Sequence, residues 1–326
     1  MNKVNLSEIS KSIKNELSVF EGIYSDSIRS KIQLVDWIAK YMLKQKGKKI
    51  RPLLVILSAK ACGEVSERAY RGATLVELLH SATLIHDDVV DNADQRRGLP
   101  SINAVWKNKA AVLMGDYLLS RGLLIAINGR DFDFLEVITN TVRRMSEGEL
   151  LQIQKTRKLD IDEETYFRVI SDKTASLMET CCEIGALSAS DDSEFRVAMR
   201  NYGLYLGISF QIQDDILDYE GSFKIFGKVI GTDIKEKKIT LPLIYALKNS
   251  SSREASNIRK LLKGKKTKST IKEIISFVQS KDGIEYSRTR AREYSNKAIE
   301  SLKVLPETPA RHALESLVSF VVERRN

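Results

Sequence analysis

The chain has 326 residues, enough for one large domain or two small ones with ample core. With only 5 Pro and 17 Gly and much Leu, Ile, Ala, Lys and Glu, its composition is that of a helical protein. A formal charge of +9 favours anionic partners such as diphosphates, nucleic acid or an acidic membrane surface, without choosing among them. The cysteines, Cys62, Cys181 and Cys182, form no disulfide framework and fit a reducing, cytoplasmic setting. The N-terminal stretch lacks an apolar run of signal-peptide length. No window offers about 18 uncharged apolar residues, so no membrane-spanning segment is expected.

Leu6, Ile9, Ile13, Leu17 and Phe20 step by three and four, which predicts a first amphipathic packing helix. A second helix is expected over residues 30–44. Residues 44–52, KQKGKKIRP, are by themselves a solvated basic loop with Pro52 in the next helix's first turn. The same lysines and Arg51 also suit a phosphate grip. Residues 53–62 are apolar and expected to be buried. Residues 70–90 contain no Pro and run well past strand length, so they read as helix. On this helix His80 lies two turns before Asp87, where a lone His is more often a satisfied core residue than a ligand. The small residues Ala82 and Thr83 lie just before the same aspartate. If that wall lines a cavity, it stays open here.

Beyond Gly98, residues 103–124 read as a loop turning into a buried helix. Residues 132–154 form the next helix, with Glu149 and Gln152 near its end. Residues 161–185 follow and carry Lys173 and Thr174, each unremarkable by itself. Residues 191–200 open another helix, and 203–218 form a further one. Residues 221–242 contain Gly227, Gly231 and the lysines 228, 235, 237 and 238; this is a flexible loop by composition, and also a candidate lid. Residues 260–268 are a basic linker, and Leu314, Leu317, Val318, Val321 and Val322 give the last helix, 308–323, one apolar stripe. The chain shows no internal repeat and no low-complexity tract.

Two stretches carry chemistry. Residues 86–98, HDDVVDNADQRRG, place Asp87, Asp88 and Asp91 within five residues and follow them with Arg96 and Arg97. Residues 213–218, QDDILD, repeat the acidic form with Asp214, Asp215 and Asp218. On a helix, i and i+4 share a face, so Asp87 and Asp91 meet. Crowded carboxylates repel, and a hard cation with oxygen ligands removes the conflict. Acidic helix ends are common on surfaces, but two such triplets ending apolar helices need partners. The spacing therefore favours divalent cations held around a diphosphate.

These motifs resemble those of the trans-type polyprenyl diphosphate synthases, which elongate isoprenyl chains head to tail. The resemblance runs from Gly47 to Arg325. It rests on the D-D-x-x-D and R-R-G residues of 87–98, on Phe210 and Gln211 before the second cluster, on Gly227, Lys228, Gly231 and Asp233, and on residues 238–242, KITLP. It implies an all-α, single-domain bundle of about a dozen helices around a deep central cavity. It further implies Mg²⁺ held by Asp87, Asp88, Asp91, Asp214, Asp215 and Asp218. Arg96, Lys173, Lys228 and Lys238 would contact the allylic diphosphate, with farnesyl diphosphate or a similar primer as that partner. Lys48, Arg51, His80 and Arg97 would bind isopentenyl diphosphate, and Thr174 and Gln211 would lie near the reacting carbons. The chain departs from the pattern at residues 46–49, KGKK, and at Lys237; both departures keep or add positive charge.

In such enzymes bulky residues before the first motif shorten the product. Ala82 and Thr83 therefore imply a long one, octaprenyl or near it, of the kind used for quinone side chains. A homodimer and transient membrane contact at product release are further expectations. A shorter-chain synthase making farnesyl or geranylgeranyl diphosphate is the alternative within the class. A non-catalytic synthase subunit would be expected to have lost an aspartate motif, and both are intact. A nucleic-acid binder would want a basic stripe with aromatics, and none is evident.

Overall fold

The computed structural model describes residues 5–45, 47–220 and 231–322, without the side chains of residues 157 and 158. Among these residues the protein is helical apart from one two-residue hairpin. The helices are α1 (Leu6–Ile9), α2 (Lys14–Ser27), α3 (Gln33–Lys44), α4 (Ile50–Cys62), α5 (Glu67–Val90), α6 (Ile102–Gly129), α7 (Phe132–Lys158), α8 (Glu163–Ile170) and α9 (Ser176–Ala189). They continue with α10 (Ser193–Glu220), α11 (Thr232–Lys235), α12 (Leu241–Lys248), α13 (Ser252–Lys263), α14 (Lys268–Ser280), α15 (Gly283–Ser301) and α16 (Pro309–Val322). The expected all-α class is the observed one.

Two apolar cores organise the chain. The larger gathers α4, α5, α9, α16 and the inner face of α6. The other gathers α8, α12, α14, α15 and the second half of α10. α10 belongs to both, through Met199, Tyr202 and Leu206 on one side and Ile208, Ile212 and Ile216 on the other. α4 is the central helix of the first core. Every residue from Pro52 to Ala59 is buried, as a helix apolar all round requires. Each Leu or Ile so buried is worth about 1.5–3 kcal/mol of transfer free energy. The N-terminal stripe packs as expected, with Ile9, Ile13 and Phe20 buried, although a 3₁₀ turn at Ser10–Ile13 divides α1 from α2.

Three expectations change. Residues 191–200 and 203–218 fall in one helix, α10, because Gly203 packs against α9 and Gly207 against Ala175 just before it rather than breaking the chain. A Cβ on Gly203 would lie 2.5 Å from Met178 O, and one on Gly207 would lie 2.5 Å from Ala175 Cα. That close approach sets Gln211, one turn on, opposite Thr174. α6 is only half buried. Ala111, Met114, Leu118 and Ala126 face α5, while Val105, Val112, Leu113, Leu124 and Ile127 are exposed, Leu113 at 59%. By length and composition α6 alone among the described helices is apolar enough to cross a membrane, which narrows the expectation of no such segment; a third of its most apolar stretch is buried in the protein. Finally, residues 161–185 are not one regular helix. A π turn at Ser171–Ala175 separates α8 from α9.

Candidate active site

The π turn is where α7 presses on the α8–α9 run. A Cβ on Gly148 would sit 3.0 Å from Asp172 Cβ and 3.1 Å from Lys173 N, so the two backbones pack closely here. Arg144, one turn earlier on α7, bridges Asp172 at 3.0 Å and Glu179 at 2.7 Å. One extra residue in the turn presents Lys173 and Thr174 sideways, a frequent use of π geometry at functional sites. Lys173 Nζ donates to Gln152 Oε1 at 2.8 Å and pairs with Glu149. Thr174 Oγ1 donates to Gln211 Oε1 at 2.9 Å.

These residues line a cavity of about 120 Å³ with Tyr166, Asp215, Asp233 and Lys238. Burial, and then Asp218 beside it, push the Asp233 carboxyl up to about 6. Burial works against the charge of Lys238, but its bond to Glu236 and the fields of Asp233 and Asp91 hold its ammonium above the ordinary range. Asp91 belongs to the first acidic cluster, and Asp233 feels Asp218 of the second, so Lys238 lies between a carboxylate of the first cluster and a neighbour of the second.

Within each cluster the three aspartates differ. Asp87 opens on the cleft. Its recess in the protein pushes its carboxyl above the usual range; Lys173 and Arg96 pull the other way, and Glu149 and Asp91 add to the rise. Asp88 is 4% exposed and accepts from Arg96, with Nε at 2.8 Å. Asp215 is equally buried, and both its oxygens are taken, by Tyr166 at 2.6 Å and by Gln211 Nε2 at 2.8 Å. Burial, then Asp233, push Asp215 well above the carboxylate range. Asp218 accepts from the backbone N–H groups of Thr232 and Asp233, both at 3.0 Å, and Asp214 is half-buried beside it. Among the described residues no three carboxylate, histidine or cysteine groups stand preassembled as a metal centre. The donor set is nonetheless all oxygen, crowded and short of compensating charge at Asp87, which suits a hard divalent cation.

A cationic group lies on the other side of Asp87. The hairpin pairs Gln95 with Pro100 and Arg96 with Leu99, and Arg97 and Gly98 turn it with φ of 52° and 78°. Paired positive φ values match the tight turn that suits a twisted hairpin, and Gly98 pays no Cβ penalty there. The turn sends Arg96 back to Asp88 and Arg97 over Gly47. Both arginines line a second cavity, of about 80 Å³, with Lys49, Glu77 and Asp88. Arg51 is half-buried, and its Nε is enclosed with no hydrogen-bond partner. Lys48 lies 5.9 Å over the Phe320 ring. Lys228 falls outside the described residues.

Burial, and then the charges of Arg51, Arg97 and Arg96, hold His80 well below its ordinary range, so it is neutral. In the unfolded chain it takes a proton near pH 6.5, and in the fold it does not. Below that pH the unfolded state therefore binds more protons, and stability falls as pH falls. His80→Gln is expected to lose less stability than wild type between pH 6.5 and 5.5, by up to about 1.4 kcal/mol per pH unit. Urea unfolding at the two pH values checks this; equal losses would place His80 in contact with a proton acceptor instead.

The candidate residues thus fall into two groups joined at Asp87: Lys173, Thr174, Gln211, Asp215 and Lys238 on one side, Arg51, His80, Arg96 and Arg97 on the other. Ala82 and Thr83 line neither cavity. Ala82 is 2% exposed in the larger core, and Thr83 is half-buried with Oγ1 donating to His80 O at 2.9 Å. Sequence reasoning missed Tyr166, Arg144 and Glu77, none of which stands in a recognisable spacing.

Comparison with known proteins places this geometry. Residues 32–278 match the family model for polyprenyl synthetase. The chain is 35% identical over 321 residues to octaprenyl diphosphate synthase of Escherichia coli K12, covering 98% of this chain and 99% of that one. It is 36% identical over 313 residues to the all-trans-nonaprenyl-diphosphate synthase (geranyl-diphosphate specific) of Rhodobacter capsulatus, 96% of each. The crystal structure of a polyprenyl synthase from Caulobacter crescentus CB15, complexed with calcium and isoprenyl diphosphate, superposes with a TM-score of 0.92 at 30% identity over 100% of both chains. With an aspartate of each acidic cluster and several cations lining two cavities, and a match of this extent, the chain belongs to the polyprenyl synthetase family and is a prenyltransferase.

Proposed function

We propose that the whole chain is one synthase domain that condenses isopentenyl diphosphate with an allylic diphosphate to make a long all-trans polyprenyl diphosphate, octaprenyl or near it. The observation that carries this reading is the convergence at Asp87, whose carboxylate feels both Lys173, of the first cavity, and Arg96, of the second. Likeness to octaprenyl and nonaprenyl synthases supports the long product.

In this reading Asp87, Asp91 and Asp214 hold the cations, taken to be Mg²⁺. Asp88, Asp215 and Asp218 would hold the frame, Asp88 bound at Oδ1 by Arg96 and the other two bound at both oxygens by protein donors. Bound Mg²⁺ supplies positive charge to the departing diphosphate. Lys173, Lys238 and Arg96 would orient that diphosphate and add to the same electrostatic pull, as fixed cations do in a recessed site. The allylic C–O bond breaks and its electron pair leaves with diphosphate. The alkene of isopentenyl diphosphate then forms the new C–C bond, and a proton leaves the adduct for the released diphosphate. Arg51, with its unpaired buried Nε, Arg97 and Lys48 would seat the isopentenyl diphosphate, and neutral His80 would add a hydrogen bond. The enclosed wall behind Thr174 and Gln211 would keep water from the cation.

Incubating the protein with Mg²⁺, farnesyl diphosphate and labelled isopentenyl diphosphate should yield labelled polyprenyl diphosphate of about eight units, abolished by EDTA. Recovery of label only as starting material would defeat the reading. The exposed apolar side of α6 supports a homodimer across that face, and sedimentation should then give twice the chain mass; a monomer would reject it. The free, buried thiols of Cys62, Cys181 and Cys182 support a cytoplasmic setting, and secretion in an oxidised form would count against it.

A further inference from the structure

Tyr166 on α8 is buried with its ring edge-on to Phe167, the centroids 5.4 Å apart, so its hydroxyl has a fixed direction. That hydroxyl sits 2.6 Å from Asp215 Oδ2. Asp215 Oδ1 accepts from Gln211 Nε2 at 2.8 Å, and Gln211 Oε1 accepts from Thr174 Oγ1 at 2.9 Å. The four residues join α8, α10 and the π turn in one line along the wall of the cavity.

The line has a polarity. Tyr166 donates its O–H to Oδ2, and Oδ1 accepts from the NH₂ end of the Gln211 amide, which turns the carbonyl end toward Thr174. Thr174 then spends its single O–H on Gln211, and what its oxygen offers the cavity is lone pairs.

We propose that Tyr166 is a positioning residue that acts through Asp215 and Gln211 to keep the Thr174 oxygen an acceptor toward the reacting allylic carbons. This rests on the reading of the cleft as the condensing site. An acceptor there stabilises positive charge developing on the allylic fragment, whereas an inward O–H would oppose it. Without the phenol, the Asp215 carboxyl loses the donor that orients it, the amide can turn over, and Thr174 is released to point its hydrogen inward.

The test is Tyr166→Phe, which keeps the ring and removes one oxygen. The expected result is a fall in kcat of about tenfold to a hundredfold, as small misplacements of reacting groups produce. KM for both diphosphates should stay within about twofold and the melting temperature within a few degrees. On a Thr174→Val background the same change should cost less than about twofold more, because both act through one oxygen and so are not additive. A structural role would instead lower the melting temperature and multiply fully on that background. If Tyr166→Phe fails to fold, Asp215→Asn takes its place. Its carbonyl can still accept from Tyr166 while its NH₂ faces Gln211, reversing the amide and Thr174 with every bond kept. A kcat within twofold of wild type in the folded variant, or full additivity with Thr174→Val, overturns the proposal. A wild-type protein that makes no condensation product sinks the reading of the site instead, so the two failures are told apart.

Discussion

Replacing Asp87 by Asn is expected to lower kcat by about 10²–10³-fold, the range seen when one electrostatic stabiliser of a transition state is removed. The melting temperature should stay where it is or rise. Asp87 opens on the cleft with Glu149 and Asp91 close enough to oppose its charge. Crowded acids of this kind burden the fold, and an isosteric neutral amide relieves the burden. Loss of activity with no loss of stability is the signature of a residue kept for function. Asp88→Asn should behave in the opposite way. Asp88 is buried and holds Arg96, so the amide leaves a guanidinium with a weakened partner in the lining of the second cavity. Truncating one member of an enclosed pair is strongly destabilising. Steady-state kinetics and thermal melts on the two variants check the contrast. If Asp87→Asn melts lower and keeps kcat within tenfold, its carboxylate belongs to the frame and not to the cation site.

The difference between neighbouring aspartates was open to reading in the sequence, although the spacing argument passed over it. The core stripe of α5 runs through Leu75, Leu78, Leu79, Ala82 and Ile85, and a further step of three lands on Asp88. On α10, Ile208 and Ile212 lead in the same way to Asp215 and Ile216. The middle aspartate of each cluster therefore lies on its helix's buried face, where it must find protein donors. Of the outer ones, Asp87 and Asp91 are exposed, while Asp214 and Asp218 are half-buried. The all-α class and the helix end at Val90 followed from composition and periodicity, both local properties. The relay from Tyr166 to Thr174 did not, since it spans 49 residues between Tyr166 and Asp215 and crosses three elements. The π turn was equally hidden. It depends on Gly148 of α7 touching Asp172, a contact set by packing rather than by the turn's own residues. The exposed side of α6 was misread as buried because an apolar residue looks the same from the sequence whether its own chain covers it or not.

Thr83→Phe is expected to shorten the product. The phenyl group projects from the helix face that carries Asp87 one turn later, so it closes about 5.4 Å of depth beneath the first acidic cluster. Thr83 is half-buried, and its hydroxyl only returns to His80 O, a bond internal to the helix whose loss costs little. Ala82 offers the control. It is packed in the larger core, and a phenyl group there overfills a closed space, at a cost of about 1–3 kcal/mol or more. The two substitutions, one residue apart, should therefore separate. Thr83→Phe should keep its melting temperature and lose the longest products, whereas Ala82→Phe should melt lower. Chromatography of the dephosphorylated products beside a thermal melt decides between them. Unchanged product length in Thr83→Phe would mean that the growing chain does not pass this face. A shortened product from a stable Ala82→Phe would mean that it passes on the side of α5 that is closed in the present structure, and that the core opens there to admit it.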